Sequence, residues 1–249
     1  MSILQNNSIQ NLHSLYQCIG NIENIVNINI TDKYSFIQSY HSVWPNAIFN
    51  LKNNCIEDEI EIQKISNKIV SKQLPELVLV YNNATNTKLL KANGFYTIEQ
   101  WTLMELNLET EIKNETSNCH VVSTEIELQC WLNIAQSVLF SNKVLDIKIF
   151  QYLMQINTHL FYILHNNEVV GTTLTYVDEN EVAGIYMVCI NEEYRGKSFA
   201  KQLMNFTLHY LQKNKISKVV LQSTKAGLGL YKSLLFKEVG TVNLIYKIK

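Results

Sequence analysis

A chain of 249 residues, 47% of them hydrophobic and 17% charged, has enough apolar material for one large folded unit or two ordinary ones, and excludes global disorder. Its 21 basic and 22 acidic residues leave a formal net charge of -1, without the basic excess of a nucleic-acid binder or a polybasic membrane patch. Five scattered cysteines (Cys18, Cys55, Cys119, Cys130 and Cys189) show no C-x-x-C spacing, which argues against a disulfide framework or structural zinc and for a reduced, cytoplasmic setting. The six histidines form no ligand-spaced pair, so no metal is expected. The opening MSILQNNSIQ lacks the basic start and apolar stretch of a secretory signal, and runs such as LVLVY (77–81) are too short to cross a bilayer.

In chain order, the first clear pattern is a helix over Ile56–Lys72, whose EDEIE (57–61) supplies an acidic first turn favourable to the helix dipole. A strand follows at ELVLVYNN (76–83), then a helix at Thr87–Ala92 and a strand at Tyr96–Leu108. The polar segment ETEIKNETSNCH (109–120) breaks the periodicity and separates a half spanning residues 1–108, through a linker at 109–119, from a half spanning 120–249.

In the second half, apolar residues at helical spacing predict a helix over Glu125–Phe140 and a short one around Ile147–Gln155. Three β-rich runs then meet at His165-Asn166-Asn167 and Asp178-Glu179-Asn180, predicting antiparallel strands. Lys197–Lys213 carries the stripe Phe199, Leu203, Phe206 and Tyr210 of an amphipathic helix. Strand KVVLQS (218–223), helix Ala226–Leu235 and strand Glu238–Ile248 complete an α/β fold with a mixed sheet. LLKANGFYTIEQWTLMEL (89–106) and LYKSLLFKEVGTVNLIYK (230–247) share a Leu-rich helix end, a corner Phe and a long strand, the mark of an internal duplication.

The stretch NEEYRGKSFAKQLM (191–204) lies between a strand and a helix. A helix N-terminus presents unpaired N–H groups and partial positive charge, which suits a phosphate. Gly196, Ser198 and Ala200 are small enough for close backbone approach, and Arg195, Lys197 and Lys201 can neutralise charge. About twenty residues further on comes TKAGLGLYKSLLFKEVG (224–240). These two linked blocks resemble the signature of the GNAT acyltransferase superfamily, roughly V-x-P-x-x-R-G-x-G-x-G/A and later A/G-x-x-L-Y and G-F-x-x-x-G. Val188 to Ala200 match the first and Thr224 to Gly240 the second, and the element order over 120–249 fits the family fold of a mixed, mostly antiparallel sheet flanked by helices.

The resemblance implies an acetyl-CoA-dependent N-acetyltransferase in which an amine attacks the thioester directly, with no metal and no acyl-enzyme. Arg195, Gly196, Lys197, Ser198, Phe199, Ala200 and Lys201 would hold the pyrophosphate. The strand backbone at Val188, Cys189 and Ile190 would pair with pantetheine, and the Val188 N–H would polarise the carbonyl. Thr224 stands where many relatives place an Asn that contacts pantetheine, and Tyr231 would protonate the departing thiolate. The acceptor would be a small-molecule or peptide amine, and the protein a monomer or homodimer. The sequence departs from the family at Ser198 and Ala200, which replace two glycines, at Leu235, which replaces the Gly before the corner Phe, and at Glu192, which replaces a Pro. Where relatives carry a general-base Glu on the central strands, Gly184 and Val219 stand here; Glu181 and Tyr186 are left as groups able to order a water. The first half, with acidic LKNNCIEDEIE before its helix, would be a smaller, degenerate GNAT-like unit unable to bind CoA, packed beside the second half to complete its acceptor cleft or replace a dimer partner. A binding module without turnover and a transferase for a larger acyl donor are the alternatives.

Overall fold

The computed structural model describes residues 6–81, 87–109, 111–112 and 118–247. The first half contains α1 (Asn7–Ile19), β1 (Val26–Ile30), β2 (Ser35–Ser39), β3 (Asn46–Phe49), α2 (Asn53–Ile56), α3 (Glu59–Val70), β4 (Leu77–Tyr81), α4 (Thr87–Ala92) and β5 (Phe95–Asn107). The second contains β6 (Cys119–Val121), α5 (Glu125–Leu139), α6 (Ile147–Leu153), β7 (Thr158–His165), β8 (Glu168–Val177), β9 (Val182–Ile190), α7 (Phe199–Lys213), β10 (Lys218–Ser223), α8 (Leu228–Ser233) and β11 (Lys237–Lys247). The helices and strands expected from residue 56 onward are present, with ends shifted by a few residues. The first fifty-five residues, for which the sequence pattern offered no elements, contain a helix and a three-strand meander.

The eleven strands among the described residues form one sheet in the order β1-β2-β3-β4-β11-β5-β10-β9-β8-β7-β6. The order has an internal symmetry. β3 runs parallel to β4 as β9 runs parallel to β10, and each half's last strand lies beside the other half's penultimate strand. The two exchanged strands, β5 and β11, pair antiparallel from Lys237↔Glu105 to Lys247↔Phe95. These are the two segments whose similarity suggested a duplication. Neither half closes its own sheet, so the long β5–β11 ladder ties the halves through backbone hydrogen bonds as well as side chains.

Alternation along the strands sorts the core onto two faces. Leu79, Tyr81, Leu103, Val242 and Leu244 face a cluster shared by α1, α5 and α6. Val78, Val80 and Ile245 face α3 and α4, while Met104, Val219 and Leu221 face α7 and α8. α1 belongs to the first half in sequence yet packs mainly on strands of the second. Ile9, Leu12, Leu15, Tyr16 and Ile19 form its buried stripe, Ser8 Oγ donates to Leu221 O at 3.1 Å, and Gln222 Nε2 donates to Ser8 O at 3.0 Å.

The short helix α8 ends in a Schellman motif. Phe236 N–H donates to Tyr231 O at 3.0 Å, Leu235 N–H donates to Lys232 O at 3.0 Å, and the rings of Phe236 and Tyr231 meet at 5.9 Å. The C′ residue of such a motif is left-handed. Leu235 has φ 67° and its side chain is 71% exposed, so the missing signature glycine costs backbone strain without gaining packing. Leu235→Gly is therefore expected to stabilise the protein by about 0.5–1 kcal/mol, read as a higher urea midpoint at unchanged m-value. A lower midpoint would show that the strain argument fails.

Candidate active site

The helix N-termini of this chain differ in one respect that matters. Asn6 caps α1, Asp58 caps α3, Thr124 and Glu127 form a capping box on α5, and Asp146 caps α6, each with its own side chain. α7 has no such cap. Its N-cap Ser198 is left-handed, φ 64°, and its side chain bonds no helix amide. Gly196, two residues earlier, has φ 75°. Among the described residues no backbone carbonyl accepts from the amides of Gly196, Lys197 and Ser198, and the first-turn amides of Phe199, Ala200 and Lys201 are likewise without a capping partner. Successive open amides at a positive helix end form an anion cradle.

The turn rests on an aromatic base. Tyr194 and Phe199 approach each other at 6.1 Å and both meet His165, while Lys197 Nζ lies 5.2 Å over the Tyr194 ring. Arg195 Nε donates to Ile190 O at 3.2 Å and its guanidinium pairs with Glu192 at 3.1 Å, which fixes the turn against the end of β9. A cleft of about 320 Å³ runs from this turn to Leu230 of α8. A Cβ at Gly196 would meet nothing within 4 Å, so the glycine serves conformation and open access.

Beside the turn, the sheet opens. β9 and β10 pair only over Val182–Ile185 and Lys218–Leu221, although β9 continues to Ile190 and β10 to Ser223. From Tyr186 onward the β10 side of β9 has no partner strand. Met187, with φ 51°, coincides with the register shift against β8, a bulge that bends the strand away from β10.

The bulge also changes which side chains share a face. Alternation places Tyr186 with Gly184 and Val188, but the extra residue resets it. Tyr186 packs toward α1, whereas Val188 packs with the α7–α8 cluster. Val188 and Tyr231 belong to that same cluster, and Cys189 lies close enough to Tyr231 to perturb it electrostatically. Tyr231 is 7% exposed; burial pushes its phenol upward, and no hydrogen-bond partner of its hydroxyl occurs among the described residues. Gly227 lets the ring sit close, since a Cβ there would lie 2.9 Å from Tyr231 Cε2. The Cys189 thiol, buried 3.1 Å from Thr172 Oγ1, is pushed up to about 11 by burial, which suits a packing group and not a nucleophile. Thr224 is exposed at the end of β10, its Oγ1 accepting from Gly227 N–H at 3.3 Å.

The two water-ordering candidates are not brought to this place. Glu181 is an exposed turn residue, φ 58°, at the opposite end of β9 from Val188, about 20 Å away at strand rise. Tyr186 donates its hydroxyl to Asn11 Oδ1 at 2.6 Å, and burial raises its phenol well above the usual range. Asn11 itself was not legible. It is a fully buried amide on the α1 stripe, donating to Asp178 Oδ2 at 2.9 Å and Val182 O at 2.8 Å. Only its position amid helically spaced apolar residues could have flagged it.

The equivalent place in the first half is closed. At the start of α3 the Asp58 carboxylate accepts from Ile60 and Glu61 N–H, so a resident anion already occupies the amides. Glu61 is in turn held by Lys33 and Lys64. Among the described residues no group of three or more His, Cys, Asp or Glu could hold a metal, and no helix is long and apolar enough to cross a membrane.

Residues 125–235 match the acetyltransferase (GNAT) family. A search of curated proteins returned no significant match. The fold is similar to that of a GCN5-related N-acetyltransferase from Kribbella flavida (TM-score 0.72, 11% identity, 98% of this chain and 97% of that one). It is also similar to a putative GNAT acetyltransferase from Novosphingobium aromaticivorans (TM-score 0.62, 11% identity, all of both chains). A third similar structure is a tandem GNAT protein from the clavulanic acid biosynthesis pathway (TM-score 0.58, 10% identity, 86% of this chain and 78% of that one). The match to the GNAT acetyltransferase family thus lies in residues 125–235, within a two-half fold similar to that of these structures.

Proposed function

We propose that the protein is an acetyl-CoA-dependent N-acetyltransferase whose active site lies in residues 120–249, with residues 1–108 as a degenerate half that binds no CoA. The observation that carries this reading is the uncapped N-terminus of α7, open beside the splayed end of β9. The amides from Gly196 to Lys201 hold the pyrophosphate, and the unpaired edge at Val188–Ile190 takes the pantetheine arm. The Val188 N–H polarises the thioester carbonyl, where negative charge develops on attack. Tyr231 donates its proton to the departing thiolate. Raised by burial, its phenol stays protonated throughout the working pH range. Five free cysteines suit a reduced, cytoplasmic setting.

Acetyl-CoA at about a hundred times its dissociation constant is expected to add roughly 2.7 kcal/mol of stability, seen as a saturating rise in Tm. Gly196→Asp should abolish that rise while folding normally, because the site is open and Asp tolerates left-handed φ, yet its carboxylate faces the pyrophosphate. An unshifted wild type would hand the lead to the second reading, a binding module without turnover. Gly184, at the position of the family's general base, is the observation in that reading's favour.

A further inference from the structure

The sheet has two edge strands, β6 and β1, and they are guarded differently. β6 is only three residues long, one of the ways a fold blunts an edge. β1 is five residues, and the run NIVNINIT (24–31) around it carries no charge, no proline and no break in its register against β2. On one face Val26 is buried, Ile28 rests against Gly20, where a Cβ would lie 2.5 Å from Ile28 Cγ2, and Ile30 is 55% exposed. The hydrogen bonds that bracket the β1–β2 ladder fix which backbone groups point outward. Tyr40 N–H donates to Ile25 O at 3.1 Å, and Thr31 N–H donates to Tyr34 O at 3.2 Å. Between them the register is unbroken from Val26↔Ser39 to Ile30↔Ser35, so Ile25, Asn27, Asn29 and Thr31 turn their backbone groups to β2. Val26, Ile28 and Ile30 turn theirs to the open side. Val26 N–H is spent on Ile22 O at 3.2 Å. Among the described residues, no strand lies beside Ile28 and Ile30 there, and no hydrogen bond to their outward groups occurs.

We infer that β1 is a self-association edge, on which a second copy of this chain pairs its own β1 antiparallel about a twofold axis at Asn29, joining the two sheets into one. A twofold interface needs a patch that is complementary to itself. With Asn29 facing Asn29 of the second copy, Ile28 N–H donates to Ile30 O across the axis and Ile30 N–H donates to Ile28 O. Symmetry repeats both bonds, so each open group on the edge finds a partner. The same register sets the exposed Ile30 side chain against Ile28 of the second copy, on the face where both are apolar, and Asn27 against Thr31 on the other face. No charge between Asn24 and Thr31 opposes the approach. The open run is bounded by the turn at Ile22 on one side and the hairpin at Thr31 on the other, which leaves length for its own reversed copy and little more. So short a ladder makes a reversible dimer, not an obligate one.

The test is sedimentation equilibrium of the full chain from about 5 to about 500 µM, where a reversible monomer–dimer equilibrium is expected. Ile30→Pro deletes an N–H that makes no bond in the single chain, so Tm should stay close to wild type while the dimer is lost. Asn29→Asp and Asn29→Lys each set like charges face to face across the axis, and each should raise the dissociation constant about fivefold or more. An equimolar mixture of the two should associate more tightly than either alone. Cα atoms of a non-hydrogen-bonded antiparallel pair lie about 4.5 Å apart, within the roughly 4.4–6.8 Å span of a disulfide. In a Cys130→Ser background, which removes the exposed thiol, Asn29→Cys should therefore cross-link to a dimer with oxidised glutathione, and Asn27→Cys should not. A monomer at every concentration would overturn the assignment. A dimer that Ile30→Pro, Asn29→Asp and Asn29→Lys all leave at wild-type strength would put the contact elsewhere and overturn it equally.

Discussion

Asn11→Ala is expected to lower stability by about 3 kcal/mol, because it strands three buried partners at once. One oxygen of Asp178, the Val182 carbonyl and the Tyr186 hydroxyl each lose a hydrogen bond in a site where Asn11 is 0% exposed. For a chain of this length the loss corresponds to a fall in Tm of about 6–12 °C. The N11D variant separates charge from shape. It keeps the side-chain volume but sets a second carboxylate against Asp178, so burial and like charge raise the folded pKa of the new group above its unfolded value near 3.9. A raised carboxyl pKa means the neutral form is the compatible one. The destabilisation is therefore small below pH 4, grows as the pH rises through the folded pKa, and is complete above it. Urea midpoints from pH 4 to 8 would show N11D rising toward wild type at the acid end, short of it by the one donor that a protonated carboxyl lacks, while Asn11→Ala stays low throughout. Parallel curves for the two variants would refute the role given to the amide donor.

Tyr231→Phe is expected to lower kcat about a hundredfold, some 2.7 kcal/mol of barrier, with acetyl-CoA affinity and Tm close to wild type. The division follows from the surroundings of the ring. Its face packs on Gly227 and Phe236, contacts that Phe preserves, while the hydroxyl has no protein partner among the described residues and so contributes little to folding. Single-turnover acetyl transfer to a fixed acceptor, alongside acetyl-CoA titration by thermal shift, measures both quantities. A turnover within twofold of wild type would remove Tyr231 from the chemistry.

The second half was legible because its signals are local. Gly196, Ser198 and Ala200 sit at the start of an amphipathic helix, and Tyr231 sits a fixed distance beyond the next strand; neither reading requires knowing what lies opposite. The similarity of 89–106 to 230–247 was legible on the same terms, though not its consequence that the two strands pair with each other. The first fifty-five residues escaped because β1 to β3 are only four or five residues long, because β2, SFIQS, buries two serines with its Ile37, and because α1 breaks its apolar stripe with Ser8 and Asn11. The face assignment at Tyr186 and Val188 failed for one residue: Met187 adopts φ 51°, and a bulge in one strand is specified by its pairing with another.

What the sequence by itself determined, then, is the set of elements from residue 56 onward, the small-residue turn that starts α7, and the place of Tyr231 on the helix after the next strand, since each depends on spacing within one or two neighbouring segments. Tertiary structure alone decided the exchange of β5 and β11 between the halves, the gap between β9 and β10, and the packing of Asn11 against Gly184 from more than 170 residues away. These are long-range pairings. Loop closure gives them no local spacing to leave in the chain, and the residues that make them, a glycine and an asparagine, acquire their meaning only when α1 docks on β9.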